Sequence, residues 1–204
     1  MEYIETTEAL EALYGKPGDR PVRKELRMLD RHARAFIERA PFLAIGSQDG
    51  AGGADVTPRG DAPGFVRILD GRTLAIPDRP GNNRLDTWRN IVANPAVGLL
   101  FLIPGMNETL RVNGTARLTA DAALCEQLAM NGKPARSVAI VKIEVIYMHC
   151  AKAFIRSGLW RPETWPDRSE MPTLGEILRD QLALEDSVEA LDAGLDEAYR
   201  TQLW

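Results

Sequence analysis

Thiol and imidazole groups are scarce in this sequence. Its 204 residues include two cysteines, Cys125 and Cys150, and two histidines, His32 and His149. A structural zinc site needs four ligands with paired spacing, and no CxxC or HxxxH pair exists, so no metal site is expected. Two lone thiols read as a reducing compartment. Long apolar runs are missing too: the longest, Val97–Pro104, is far too short to span a bilayer. The opening Met1-Glu2-Tyr3-Ile4-Glu5 is acidic and lacks the basic-then-apolar order of a signal peptide. A cytoplasmic protein with no membrane partner is therefore expected. The 25 Lys+Arg face 29 Asp+Glu, a net charge of −4, which leaves no basic excess for a nucleic-acid partner beyond a local pocket. Walker A, HExxH and GxSxG motifs are absent. Gly50-Ala51-Gly52-Gly53 fails as a dinucleotide fingerprint, because Asp55 stands at the third glycine position and a strand, not a helix, follows. A tight hairpin turn fits it better.

What is present suffices for a full core, since 45% of the chain is hydrophobic. The first 40 residues read as helical. Thr6-Thr7 caps a short helix through Tyr14, and Leu26, Leu29, Ala33, Phe36 and Ile37 recur at helical spacing up to Pro41. From Phe42 the pattern turns to strands: Phe42–Ser47, Ala54–Pro58, Phe65–Leu69, Thr73–Pro77, Val97–Ile103, Leu110–Leu118 and Ser137–His149. Val97–Ile103 is continuously apolar, as a strand covered on both faces should be. Helices are expected at about 83–93, with Leu85, Trp88, Ile91 and Val92 on one face, and at 121–130. After a Trp- and Pro-rich stretch come acidic helices over 173–184 and 187–199, most simply solvated. The fold class is α+β, mainly β: an antiparallel barrel or sandwich with flanking helices.

Three segments carry candidate chemistry. In Ile76–Leu85 a strand ends, a Pro/Gly turn follows, and a helix is expected to begin at Asn82 or Asn83. Such a start offers free N–H groups and a partial positive charge to a phosphate, with Arg84 as a bidentate grip. The competing reading is a plain Asn cap with a solvated arginine. Arg59, in Thr57-Pro58-Arg59-Gly60-Asp61, either serves an anion or pairs with Asp61 on the surface. Lys152–Trp160 joins two cations, a small-residue turn and an aromatic that either covers a planar anion or caps the core. His32 reads as a helix-surface histidine. His149 and Cys150 point to opposite faces of a strand and make no nucleophile pair, so Cys150 reads as packing.

Together these pieces resemble the pyridoxamine 5′-phosphate oxidase-like flavoproteins, in particular their subgroup of FMN-dependent enzymes. The likeness runs from about Phe42 to Trp160. It is carried by FLAIGSQDG, by the strand–turn–helix ending in Asn94-Pro95 within DVTPRGDAPGFVRILDGRTLAIPDRPGNNRLDTWRNIVANPAVGLLF, and by ETLRVNG. The resemblance implies an FMN-binding split β-barrel over 41–160, a helical extension over 1–40 and an acidic helical tail over 161–204. It also implies a homodimer with FMN at the interface. By this likeness Thr57 and Arg59 border the flavin and reach its phosphate, and Asn82, Asn83 and Arg84 form the phosphate cluster. Asp78 lies beside the ring, and Thr109 and Arg111 lie on the ring's strand. Lys152, Arg156 and Trp160 reach the partner chain's flavin. RSGLWRPE does not reproduce the oxidases' motif for pyridoxal phosphate, so oxidation of pyridoxamine phosphate is not expected. The implied activity is FMN-dependent oxidation or reduction of a small molecule, with NAD(P)H as a candidate electron donor and no assigned catalytic residue. A non-catalytic flavin carrier is the alternative.

Overall fold

The computed structural model describes residues 1–203. The expected tail, 161–204, ends on Trp204, which lies outside the described residues. Seven strands form one antiparallel sheet: β1 (Phe42–Gln48), β2 (Ala54–Gly60), β3 (Arg67–Ile68), β4 (Thr73–Pro77), β5 (Ala96–Leu102), β6 (Thr109–Thr119) and β7 (Val138–His149). Their order is β2-β1-β5-β6-β7-β4-β3. The fold is α+β and mainly β, a split barrel with flanking helices.

Alternation along β1 and β6 sends Leu43, Ile45, Leu110, Val112 and Ala116 into the main core, where they meet Phe101, Val141 and Ile146. A smaller cluster joins Ala75, Cys125, Leu128, Ala135 and Val138. β6 and β7 pair along their whole length with a bulge between Asn113 and Gly114. Gly114 is required there: a Cβ on it would stand 2.0 Å from the Lys142 carbonyl oxygen.

Helix α1 (Thr7–Tyr14) is capped by Thr6 and buries nothing; α2 (Asp19–Arg23) follows it. The expected amphipathic helix is shorter than its apolar spacing suggests. Helix α3 runs Arg31–Arg39, because Asp30 accepts the Ala33 N–H at 2.8 Å and starts it there. Leu26 instead exchanges two backbone hydrogen bonds with Ile146, each 2.9 Å, on the edge of β7 that faces away from β6, beyond the pairing with β4.

Three further expectations are corrected. β5 is not covered on both faces: Val97, Leu99 and Phe101 are buried, whereas Gly98, Leu100 and Leu102 are half-buried. Helix α4 is Asp86–Ala93, not 83–93, because Leu85 adopts left-handed backbone (φ 61°) just before it. Its buried face is Thr87, Trp88 and Ile91, while Leu85 and Val92 are exposed. Helix α5 (Ala122–Gln127) stops short of 130, and Asn131 and Gly132, both at positive φ, turn the chain so that Met130 pairs with Lys133. Beyond the barrel lie α6 (Lys152–Ser157), α7 (Leu174–Leu182) and α8 (Val188–Thr201), the last two packed on each other. No helix among the described residues is long and apolar enough to cross a membrane.

Candidate functional site

Six of the eleven candidate residues line one cavity of about 230 Å³: Thr57, Arg59, Asp78, Asn82, Asn83 and Arg84. β2 delivers the first two, the end of β4 delivers Asp78, and the loop into α4 delivers the rest. That loop places Asn83 in left-handed backbone (φ 56°), which asparagine tolerates better than most residues.

Helix α4 holds Arg59 in place. The guanidinium carbon sits 4.3 Å from the centre of the Trp88 ring, a cation–π contact. One terminal nitrogen donates to Asp78 at 2.9 Å. Arg59 Nε and Trp88 Nε1 are buried and have no hydrogen-bond partner. Buried donors left unpaired are costly, and they are the groups an incoming anion would satisfy. Beside them, the Thr57 and Thr87 hydroxyls lie 2.8 Å apart, and Thr87 donates to Asp55 at 3.2 Å.

The surface pairing of Arg59 with Asp61 does not occur. Asp61 is bound by Arg79 at 2.6 Å, and this carboxylate is fully buried. The loops are thus cross-braced, Arg59 to Asp78 and Arg79 to Asp61. Arg84 is likewise not in the first turn of α4. It precedes the helix and pairs with Asp86, whose carboxylate occupies that turn and complements the helix dipole. This contact holds the Arg84 guanidinium above its ordinary range. Arg84 thus reaches the cavity as one half of an ion pair that precedes the helix.

Thr109 and Arg111 lie apart from this cluster, on a second cavity of about 440 Å³. Its floor is the half-exposed face of β1, β2 and β5, with Gly46, Gly98, Leu100 and the exposed Val56. Thr109 is buried and presents little surface. Arg111 lies over the Tyr147 ring at 5.4 Å. His149 lines this cavity as well; burial, then the nearby Arg111 and Lys24 charges, hold its imidazole below the ordinary range.

Lys152, Arg156 and Trp160 line neither cavity. Lys152 and Arg156 are exposed on α6, a helix where the sequence suggested a turn. Trp160 stacks on Phe154, with ring centres 5.9 Å apart, and donates to the Met106 carbonyl at 2.7 Å. It is Phe154 that lines the second cavity. Sequence reasoning missed Phe154, His149 and the part Trp88 plays beside Arg59. The spacing of Trp88 marked it as core, which it also is, and no local pattern distinguishes the two roles. No cluster of three metal-ligating side chains occurs among the described residues.

The family model for pyridoxamine 5′-phosphate oxidase matches residues 29–150, which span α3 through β7. The chain belongs to that family. The match leaves out α1, α2 and everything from α6 onward. Among solved structures of similar fold is a HupZ protein variant of Group A Streptococcus, at 17% identity and TM-score 0.50, covering 60% of this chain and all of that one. An FMN-binding protein of Syntrophomonas wolfei subsp. wolfei is 10% identical, covering 70% of this chain and 96% of that one with TM-score 0.44. A protein of Clostridium acetobutylicum related to general stress protein 26 is 14% identical, covering 58% and 85%, with TM-score 0.45. At such identities the likeness to HupZ extends to the fold alone. A search of curated proteins finds no match to this sequence.

Proposed function

We propose that this family member is an FMN-dependent oxidoreductase acting on a small molecule other than pyridoxamine phosphate, with FMN seated at a homodimer interface. One observation carries the reading. Arg59, braced by Trp88 and Asp78, keeps a buried Nε without a partner on a cavity that Asn82, Asn83 and Arg84 also line. Those residues fit a phosphate monoester, since guanidinium and amide donors converge and Arg59 retains N–H groups beyond the one Asp78 uses. The half-exposed apolar face of β1, β2 and β5 supports the dimer, because a sheet face with exposed Val56 and half-buried Gly46 and Gly98 suits a second chain.

FMN, when bound, supplies the hydride or electron chemistry. The protein's share is binding and orientation. Arg59, Asn82, Asn83 and Arg84 hold the phosphate, and Thr57 positions the adjoining strand through Thr87. Arg111 and His149 line the open face where a substrate would lie. Lys152 and Arg156, exposed on α6, would reach toward the flavin of a partner chain. NAD(P)H is the candidate electron donor.

The test is the visible absorption spectrum of the purified protein, with mass spectrometry of whatever heat releases. A flavin spectrum and released flavin phosphate are expected. A colourless protein that also fails to bind added FMN would overturn the reading. Turnover of the bound flavin by NAD(P)H separates an enzyme from a carrier.

A further inference from the structure

Helix α1 buries none of its residues in its own chain, yet it is well formed at both ends. The Thr6 side chain accepts the Ala9 N–H at 3.2 Å, and the Gly15 N–H donates to the Glu11 carbonyl at 2.8 Å. Leu10, Leu13 and Tyr14 share one face at helical spacing and are 45%, 65% and 77% exposed. A helix this short is marginal in water and gains most of its stability by burying such a face. The arm is also acidic throughout: residues 1–15 hold Glu2, Glu5, Glu8 and Glu11 and no basic side chain. It precedes the stretch the family model matches, which begins at residue 29.

A groove of about 450 Å³ along α3 has the complementary character. His32, Ala35, Phe36 and Arg39 line it at the spacing of one helix face, together with Met106 and Met148. Methionine adapts its shape to an incoming apolar surface. Among the described residues no carboxylate lines this groove, and no residue of the chain's own α1 does either. Arg39 donates to the Ala35 carbonyl at 3.0 Å, and Lys24 donates to the Met148 carbonyl at 2.8 Å. Neither cation has a carboxylate partner among the described residues, so both charges stay uncompensated. Residues 16–39 as a whole hold eight Lys and Arg against four Asp and Glu.

We propose that α1 of one chain docks in the α3 groove of a second copy. Leu10, Leu13 and Tyr14 meet Phe36 and the two methionines, and Glu8 and Glu11 meet the uncompensated cations, in the manner of a helix laid in a groove. Exchange of two arms about a two-fold axis is reciprocal and closed. One face of an eight-residue helix falls short of the about 800 Å² per partner of a standard interface, so the arm reinforces the sheet-face contact rather than replacing it. Neither surface lines the phosphate cavity, so the inference stands apart from the flavin reading.

Disulfide trapping in the full chain tests it, with the exposed Cys150 first replaced by serine. Two differently tagged chains, one carrying Leu13→Cys and the other Ala35→Cys, are coexpressed and oxidised, and the product is read on a non-reducing gel and by mass spectrometry. A covalent heterodimer joined between positions 13 and 35 is expected. Arg39→Glu in the second chain should remove most of it, and Glu11→Lys in the first should restore it. No bond between the two chains would overturn the inference, as would a bond that forms only within one chain carrying both cysteines. A crosslink indifferent to the charge reversal would overturn the assigned docking. Leu13 is exposed and Ala35→Cys is a small change at a half-buried site, so folding does not obscure the result.

Discussion

Arg59 and Arg84 carry the same charge onto the same cavity, yet their surroundings differ. Arg59 is mostly buried, stacked on Trp88 and short of a partner at Nε. Arg84 is largely exposed and already paired with Asp86. Water screens an exposed charge, so equal residues should contribute unequally. Arg59→Ala is expected to cost about 1.5–3 kcal/mol of FMN affinity, or roughly 10–100-fold. Arg84→Ala should cost distinctly less. Titration of both variants checks the order, and equal losses would show that exposure does not govern this site. A cation near a turn was legible in Thr57-Pro58-Arg59-Gly60. Its partner was not, because Asp61 and Asp78 are both plausible from the chain and only the tertiary approach of the end of β2 to Asp78, just after β4, chooses between them.

At the scale of elements, alternation was a reliable guide wherever one face met the core. β6 matches its expected alternation from Leu110 to Ala116, where every second residue is buried, and loses it at Leu118, which is half-buried. The bulge opposite β7 left no such signal. Gly114 reads as one more small residue on the inward face, yet any Cβ there collides with the Lys142 carbonyl. Gly114→Ala is therefore expected to destabilise by about 3 kcal/mol, since backbone rather than a movable side chain must yield. Urea unfolding reads this as a lowered midpoint, and an unchanged midpoint would mean that the bulge relaxes freely. The start of α4 was misjudged for a related reason. Asn82 and Asn83 are good caps by residue type, but the left-handed Leu85 begins the helix at Asp86, an outcome set by the loop's path.

For the whole molecule, the proposed dimer gives a use to a surface that is otherwise hard to explain. Val56 is 70% exposed on β2, beside the half-buried Gly46, Gly98 and Leu100. Charging that face should separate the chains, because an unpaired carboxylate is costly to bury. Wild type is expected to sediment at twice the chain mass, and Val56→Glu at the chain mass with FMN affinity reduced at least about tenfold. A monomeric Val56→Glu protein with full FMN affinity would place the site within one chain. The continuous apolar run of β5 had suggested a strand covered on both sides. In a single chain one face stays half open, so the sequence pattern and the proposed dimer describe the same surface at different levels of assembly.

The sequence by itself determined the seven strands and most of the longer helices, though not α2 or α6, along with the absence of metal and nucleotide-fold motifs and the family likeness over the barrel. These are local properties: side-chain period, turn residues and short patterns all act over a few neighbours. Tertiary structure decided which charges pair, where Leu26 leaves the helical pattern to join β7, and that six candidate residues share one cavity while Thr109 and Arg111 face another. It also brought the end of α8 to the edge of the phosphate loop, more than a hundred residues away in sequence. Such neighbours are set by long-range packing and by the close approach of backbones, neither of which leaves a period in the chain.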